Sequence, residues 1–246
     1  MKIILINMLY ALLIFPSFAL LADQNAREIM EKSNALKKPL TIKSDSVMVI
    51  MKGNSKEMKE FTLVSKKYGN QTRSRSTFTK PSRIEFLSWS VTGDDSLQWI
   101  KLSGGSVRKI ASSDKGGSFI GSHFYYEDLQ IIDIDNYEYK YSGEEMVNDE
   151  ACYKIESVKL KGEKVYEKTV LFIRKSDYFI MKIDFFEKSG HTKTFEADKI
   201  ETINGIITAR KISMSRADGK GKSIIYLKNI DYDKPISDQF LKKESM

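Results

Sequence analysis

Few side chains in this 246-residue chain carry the chemistry of catalysis: two histidines, one cysteine and scattered serines and carboxylates. His123 stands four residues before Glu127, a helical spacing that ligates a metal only when further donors join it. No Cys or His cluster supplies them, and His191 is far away in sequence. Gly116–Ile120 comes nearest to a nucleophile elbow around Ser118. Its last position is Ile120 where the motif requires glycine, and no strand-turn-helix pattern surrounds it. Cys152, between Ala151 and Tyr153 in a strand-like run, reads as a buried inert thiol, and a lone cysteine forms no internal disulfide. We therefore expect no catalytic residue, no metal and no cofactor, and a protein that is not an enzyme. His123 is expected in a loop or at the surface.

Binding chemistry is better represented. Arg73, Arg75, Thr77 and Thr79 recur every second residue, which on a strand places them on one side. They form either a solvated outer face or a cationic rim whose arginines contact lipid phosphates in bidentate fashion. The net charge is +7, but lysines are spread through every segment and alternate with acids. That distribution, together with export, argues against nucleic acid and leaves an acidic headgroup or membrane surface as the partner class.

The elements that must position these residues follow a clear order. Met1–Ala22 has one early lysine, an apolar run and a small-residue exit, the layout of a secretory signal peptide, with cleavage after Ala19 or Ala22. An uncleaved anchor is the alternative, since the run approaches the roughly 20 residues that span a bilayer. No cysteine follows the run, so the chain is not read as a lipoprotein; it is expected to be soluble in the periplasm. Residues 23–246 then form one domain. Asp23 is a plausible helix N-cap, with Ala26, Ile29, Met30 and Ser33 on one face and an end before Pro39.

From Thr41 the period changes to two. Turn signals recur at Gly53-Asn54, Gly69-Asn70, Gly93-Asp94, Gly104-Gly105, Gly162-Glu163, Ser189-Gly190, Asn204-Gly205 and Asp218-Gly219. The last two are the strongest candidates for two-residue type I′ turns. Long strands between them imply an antiparallel meander. Many strands carry apolar residues on both faces, as in Phe179–Phe186 and Ile206–Ile212, so part of the second face must be covered. Val49, Phe61, Leu63, Phe78, Ile84, Phe86 and Trp99 cannot all reach a conventional core if the sheet is one curved layer, and are the candidate lining of an apolar cavity. Composition and period by themselves argue for a β-rich antiparallel domain. The expected fold class, α+β and mostly β, is a single strongly curved antiparallel sheet, an unclosed barrel with helices and a loop on its concave side. It meets both the need for cover and the curl of a wide sheet, and it is the fold that the family resemblance of the next stretch supplies.

One stretch interrupts the strands. In Ser118–Leu129 a bulky pair, Phe119 and Ile120, is bracketed by Gly116, Gly117 and Gly121, which reads either as a packed Ω-type loop or as a lid formed by Phe119, Ile120 and Phe124. Together with Trp99–Leu102 and the basic Arg108–Ile110, this block resembles the signature of the LolA-like outer-membrane lipoprotein-sorting proteins. The likeness continues through Pro81–Ser88, where Trp89 and Val91 replace a usual proline and glycine. It persists weakly at Gly143–Glu145, Lys182–Phe185 and Ile236–Phe240, so that it covers most of residues 25–242. The resemblance implies a half-barrel with a helical lid. It also implies a periplasmic, monomeric carrier that shelters acyl chains of lipoproteins or lipids. Such a carrier takes cargo from an inner-membrane releasing complex or exporter and yields it to an outer-membrane acceptor. The other reading is an envelope sensor or exporter accessory that binds a protein and carries nothing.

Overall fold

The computed structural model describes residues 17–92, 96–162 and 164–246, with side chains from Asn25 onward. The apolar run ahead of Ser17, the Gly93-Asp94 turn and Glu163 lie outside the described residues. Phe18–Glu31 holds neither glycine nor proline and is rich in helix formers. It builds α1, Ser17–Asn34. Asp23 is therefore inside the helix and not its N-cap, because the Phe18–Ala22 run ahead of it is itself helix-forming. The helix ends ahead of Pro39, as expected. No helix among the described residues is long and apolar enough to cross a membrane.

Thirteen strands follow among the described residues: β1 (Thr41–Lys52), β2 (Ser55–Tyr68), β3 (Gln71–Lys80), β4 (Ile84–Val91), β5 (Leu97–Lys101), β6 (Val107–Lys109), β7 (Tyr137–Val147), β8 (Glu150–Lys159), β9 (Lys168–Arg174), β10 (Ile180–Glu187), β11 (Gly190–Ile203), β12 (Ile206–Arg216) and β13 (Gly221–Tyr232). Asn204 and Gly205 both take positive φ, 53° and 75°, and close the type I′ turn expected between β11 and β12. At Asp218-Gly219 only Gly219 is left-handed, and its N–H donates to the Arg216 carbonyl at 3.1 Å, closing a longer loop. Asn148-Asp149, with φ of 49° and 63°, makes a two-residue turn without glycine that the turn signals missed.

All pairings are antiparallel, in one sheet of order β6-β5-β4-β3-β2-β1-β13-β12-β11-β10-β9-β8-β7. The chain thus lays strands outward from β1 to one edge, β6, and resumes at the opposite edge, β7. Residues 110–136 must bridge the two edges. In a sheet this wide, twist curls the layer into an unclosed half-barrel, and the bridge crosses its concave side. The packing reflects this: one apolar cluster joins Met48, Phe61, Phe78, Phe86 and Ile100 of the first six strands to Phe185, Met214 and Ile225 of the last four, with Phe119, Phe124 and Tyr126 of the bridge between them. Helix α1 packs Ala26, Ile29 and Met30 on Tyr139, Ile155, Leu171 and Ile173, covering the concave side of β7–β9.

The convex face is not simply solvated. Val147, Cys152, Val170, Phe172 and Met181 form a small cluster there, and Lys154 and Lys182 lie over the Phe172 ring at 5.5 and 4.3 Å. The C-terminal segment covers β3–β5: Leu241 is fully buried, and Trp89 donates its indole N–H to the Leu241 carbonyl at 3.0 Å.

Candidate binding cavity

The bridge fills the half of the concavity beneath β1–β5. Phe119 is almost fully buried, with its ring edge-on to Phe86 (4.9 Å) and Tyr126 (5.8 Å) and tilted against Phe78 (6.0 Å). The next residue, Ile120, sits in left-handed backbone, with φ 50° and ψ 41°, a conformation costly for a β-branched side chain, while its side chain packs against the same core. Gln98 of β5 donates to the Tyr126 carbonyl at 3.0 Å, and the His123 N–H donates to Ser223 Oγ of β13 at 3.0 Å.

A buried polar cluster latches the other end of the bridge. Lys193 of β11 and Asp128 are both almost wholly buried and paired at 2.7 Å. Asp128 also accepts from the Tyr125 N–H at 2.7 Å and from the Tyr166 hydroxyl, while the Lys193 ammonium lies 3.2 Å from the Tyr125 ring centre. Burial, with Asp128 adding to it, holds the Tyr166 phenol far above its usual range. Burial lowers the Lys193 ammonium, opposed by Asp128. His123 is lowered by burial and then by Lys52, Arg216 and Lys193; its Nδ1 is 2.8 Å from Ser223 Oγ. That Ser–His contact is sealed, since Ser223 has no exposed surface and a side chain at Gly221 would collide with the imidazole. It anchors the bridge to β13. His123 thus lies in a loop, one of the two expected places, but is buried there and not at the surface, because the bridge turns it inward onto the sheet.

Over the other half of the sheet the concavity stays open. A cavity of about 550 Å³ lies between the bridge, α1 and the strands β7–β13. Its floor is Ile183, Phe185, Phe195, Ile212, Met214 and Ile225, its helix side Met30 with Tyr137 and Tyr139, and its roof Phe124 and Leu129. Ile131, Ile132, Lys161 and Gly162 line it and are solvent-exposed, which marks the mouth. Just inside, Lys159 pairs with Glu127 at 3.0 Å, and burial pushes the Tyr137 phenol up to about 12. A second hollow of about 490 Å³ shares Ile183, Phe195 and Ile212 with the first and emerges between Lys37, Lys38 and Gly205. The result is a largely apolar trough of two hollows, each within the roughly 300–1,000 Å³ of small-molecule sites. Among the described residues no group of three His, Cys, Asp or Glu side chains is placed to hold a metal ion.

The sequence-predicted lining is distributed differently. Phe61, Leu63, Phe78, Ile84 and Phe86 face the concave side but are packed against the bridge, away from the cavity. Val49 points to the opposite face, since Met48 and Ile50 on either side of it face inward. Trp99 is also on the convex face: it pairs with Leu87 and stands edge-on to Trp89 at 5.0 Å, beside the C-terminal segment. Of the predicted lid, Phe119 is core, Ile120 is half-buried against that core, and Phe124 alone reaches the cavity. Arg75 and Arg73 are not at the mouth. Arg75 is buried on the convex face, bonded to Glu85, to the Phe240 carbonyl (3.0 Å) and to the Ser245 carbonyl (2.9 Å). Burial pushes the Glu85 carboxyl up, but hydrogen bonds from Arg75 and Arg83 outweigh it and hold the group below its usual range. Arg73 lies over the Trp89 ring at 4.2 Å. The true floor, in β10–β13, was visible only as strands apolar on both faces.

A family model whose description reads "-like: Uncharacterized protein" matches residues 70–246, and the chain belongs to that family. No curated protein matches it by sequence. Among solved structures it is similar to a DUF1329 family protein from Desulfovibrio piger, with 26% identity, a TM-score of 0.86, and 91% of this chain and 98% of that one covered. It is also similar to a domain from Vibrio parahaemolyticus named for outer membrane lipoprotein sorting: 21% identity, TM-score 0.85, 90% and 98% covered. A LolA superfamily protein from Nitrosomonas europaea aligns at 18% identity with a TM-score of 0.70, over 90% of this chain and 99% of that one. The fold is LolA-like, as the signature block around Ser118–Leu129 implied.

Proposed function

We propose that the protein is an exported carrier whose trough shelters the acyl chains of a lipoprotein or lipid in transit across the envelope. The observation that carries this reading is the apolar cavity of about 550 Å³ on the concave face, roofed by the bridge and open at one rim. Burial supplies the binding free energy: at ~0.8 kcal/mol per methylene withdrawn from water, part of one acyl chain is worth several kcal/mol, with no covalent step. The shared LolA-like fold supports the same reading. Under it Met1–Ala22 serves as the signal peptide, residues 23–246 act in the periplasm, and cargo passes from an inner-membrane releasing complex to an outer-membrane acceptor. The test is titration with a fluorescent fatty acid followed by displacement with unlabelled phospholipid. Saturable, displaceable binding is expected; a linear, non-saturating signal overturns the reading.

A further inference from the structure

We propose that the second opening of the trough, at Lys37 and Lys38, holds the anionic headgroup of an acyl ligand whose chain runs over Ile183, Phe195 and Ile212 into the first hollow. This names a ligand class for the carrier reading and rests on it. The two ends of the trough differ in charge. In the first hollow the signs balance: Glu127 pairs with Lys159, Asp128 with Lys193 and Lys168 with Glu156, leaving Lys161 and Asp133, one of each. The second hollow is lined by Lys37 and Lys38 and by no acid. Both ammonium groups meet neutral oxygens. Lys37 Nζ donates to the Asn204 carbonyl at 2.7 Å and Lys38 Nζ to Asn34 Oδ1 at 2.6 Å.

The elements around this opening do not supply the missing negative charge. Glu31 and Glu201 are paired with Arg27 and Arg210. Asp231 stands opposite Lys43 in the β1–β13 ladder; their neighbours Ile42 and Tyr232 line the hollow, so this pair points to the other face of the sheet. Asp233 gives Oδ1 to the Leu40 N–H at 2.7 Å. A third lysine arrives instead: the Lys67 N–H donates to the Leu40 carbonyl at 2.8 Å, and burial, then Lys67, lower the Lys38 ammonium. Lysines without a carboxylate at the end of an apolar passage suit a carboxylate or phosphate attached to a hydrocarbon chain, the head taking charge-assisted hydrogen bonds while the chain is buried. The shared floor residues give that chain a continuous path from one hollow to the other. If the lysines only tether the end of α1 to the β11–β12 turn, replacing them costs stability and leaves the choice between ligands as it was.

The experiment is displacement of an uncharged fluorescent probe, N-phenyl-1-naphthylamine, by dodecanoic acid, dodecyl phosphate and dodecanol, below their micelle concentrations and at a pH where the acid is ionised. Wild type is expected to bind the acid, the phosphate or both at least about fivefold more tightly than the alcohol, a margin that added salt shrinks. Whichever anion has the larger margin identifies the headgroup as carboxylate or phosphate. Replacing both Lys37 and Lys38 with Gln, which still donates hydrogen bonds, should reduce the margin to roughly twofold or less. Because the margin compares ligands on one sample, a loss of folded protein does not imitate this result. Equal affinity for all three ligands in wild type, or a margin that survives in the double variant, overturns the headgroup assignment and leaves the carrier reading standing. Displacement by none of the three defeats the carrier reading and this proposal together.

Discussion

Phe119 joins rings from β3 and β4 to a ring of its own bridge, so its loss is felt as a cavity in the core and not as an opened gate. Phe119→Ala should destabilise the protein by about 3–5 kcal/mol in urea titration. Fatty-acid affinity of the remaining folded fraction should change little, because Phe119 is not among the cavity-lining residues. Unchanged stability with lost uptake would mean that the loop is a lid after all. His123 sets a pH dependence. Its imidazole takes a proton near pH 6.5 when unfolded, whereas burial, then Lys52, Arg216 and Lys193, lower it in the fold. Below about pH 6.5 the unfolded chain thus binds more protons than the folded one, and stability falls as the pH drops toward the folded value. The melting temperature of wild type should decline from about pH 6.5 to 5 more steeply than that of His123→Gln; parallel curves contradict the assignment.

The bridge, residues 110–136, is the element that decides which half of the concavity is open. Its latch is the buried Lys193–Asp128 pair, and removing one partner leaves an uncompensated charge. Lys193→Met should cost roughly 3–5 kcal/mol, partly recovered by adding Asp128→Asn. Hydrogen exchange should place the loosening in residues 115–130, and protection unchanged there would contradict the latch. The period of two, the Asn204-Gly205 turn and the two-sided apolar strands sufficed for a β-rich antiparallel domain with part of its second face covered; the half-barrel with its covered concave side came from the LolA resemblance. They did not resolve face parity in β1, where Val47 to Met51 is apolar throughout and either face is a plausible interior. Trp99 misled for a related reason: the C-terminal segment buries part of the convex face, so an apolar side chain there gives the same signal as one facing inward. Arg75 read as a rim residue because the distant carbonyls of Phe240 and Ser245 that enclose it are beyond the reach of local pattern. The position of the open trough was not legible at all, since it depends on the bridge spending Phe119 on one half and leaving Ile183, Phe195 and Ile212 of the other uncovered.

The strand order explains both the scaffold and its open half. Strands laid outward from β1 and resumed at the far edge oblige the chain to cross its own concave side once, and a single crossing plus one helix is too little to fill a thirteen-strand trough. Ile183 and Ile212 line both hollows, so narrowing the trough at Ile212→Trp should weaken fatty-acid binding by roughly tenfold, about 1.4 kcal/mol, with the circular dichroism preserved. Unaltered affinity would place the ligand elsewhere. The most direct test is native mass spectrometry of protein purified from a periplasm under gentle desalting, followed by solvent extraction and lipid analysis. A mass above that of the bare chain, resolving into copurified diacyl or triacyl species, is the predicted result; a single ligand-free mass, with no acyl species in the extract, contradicts it.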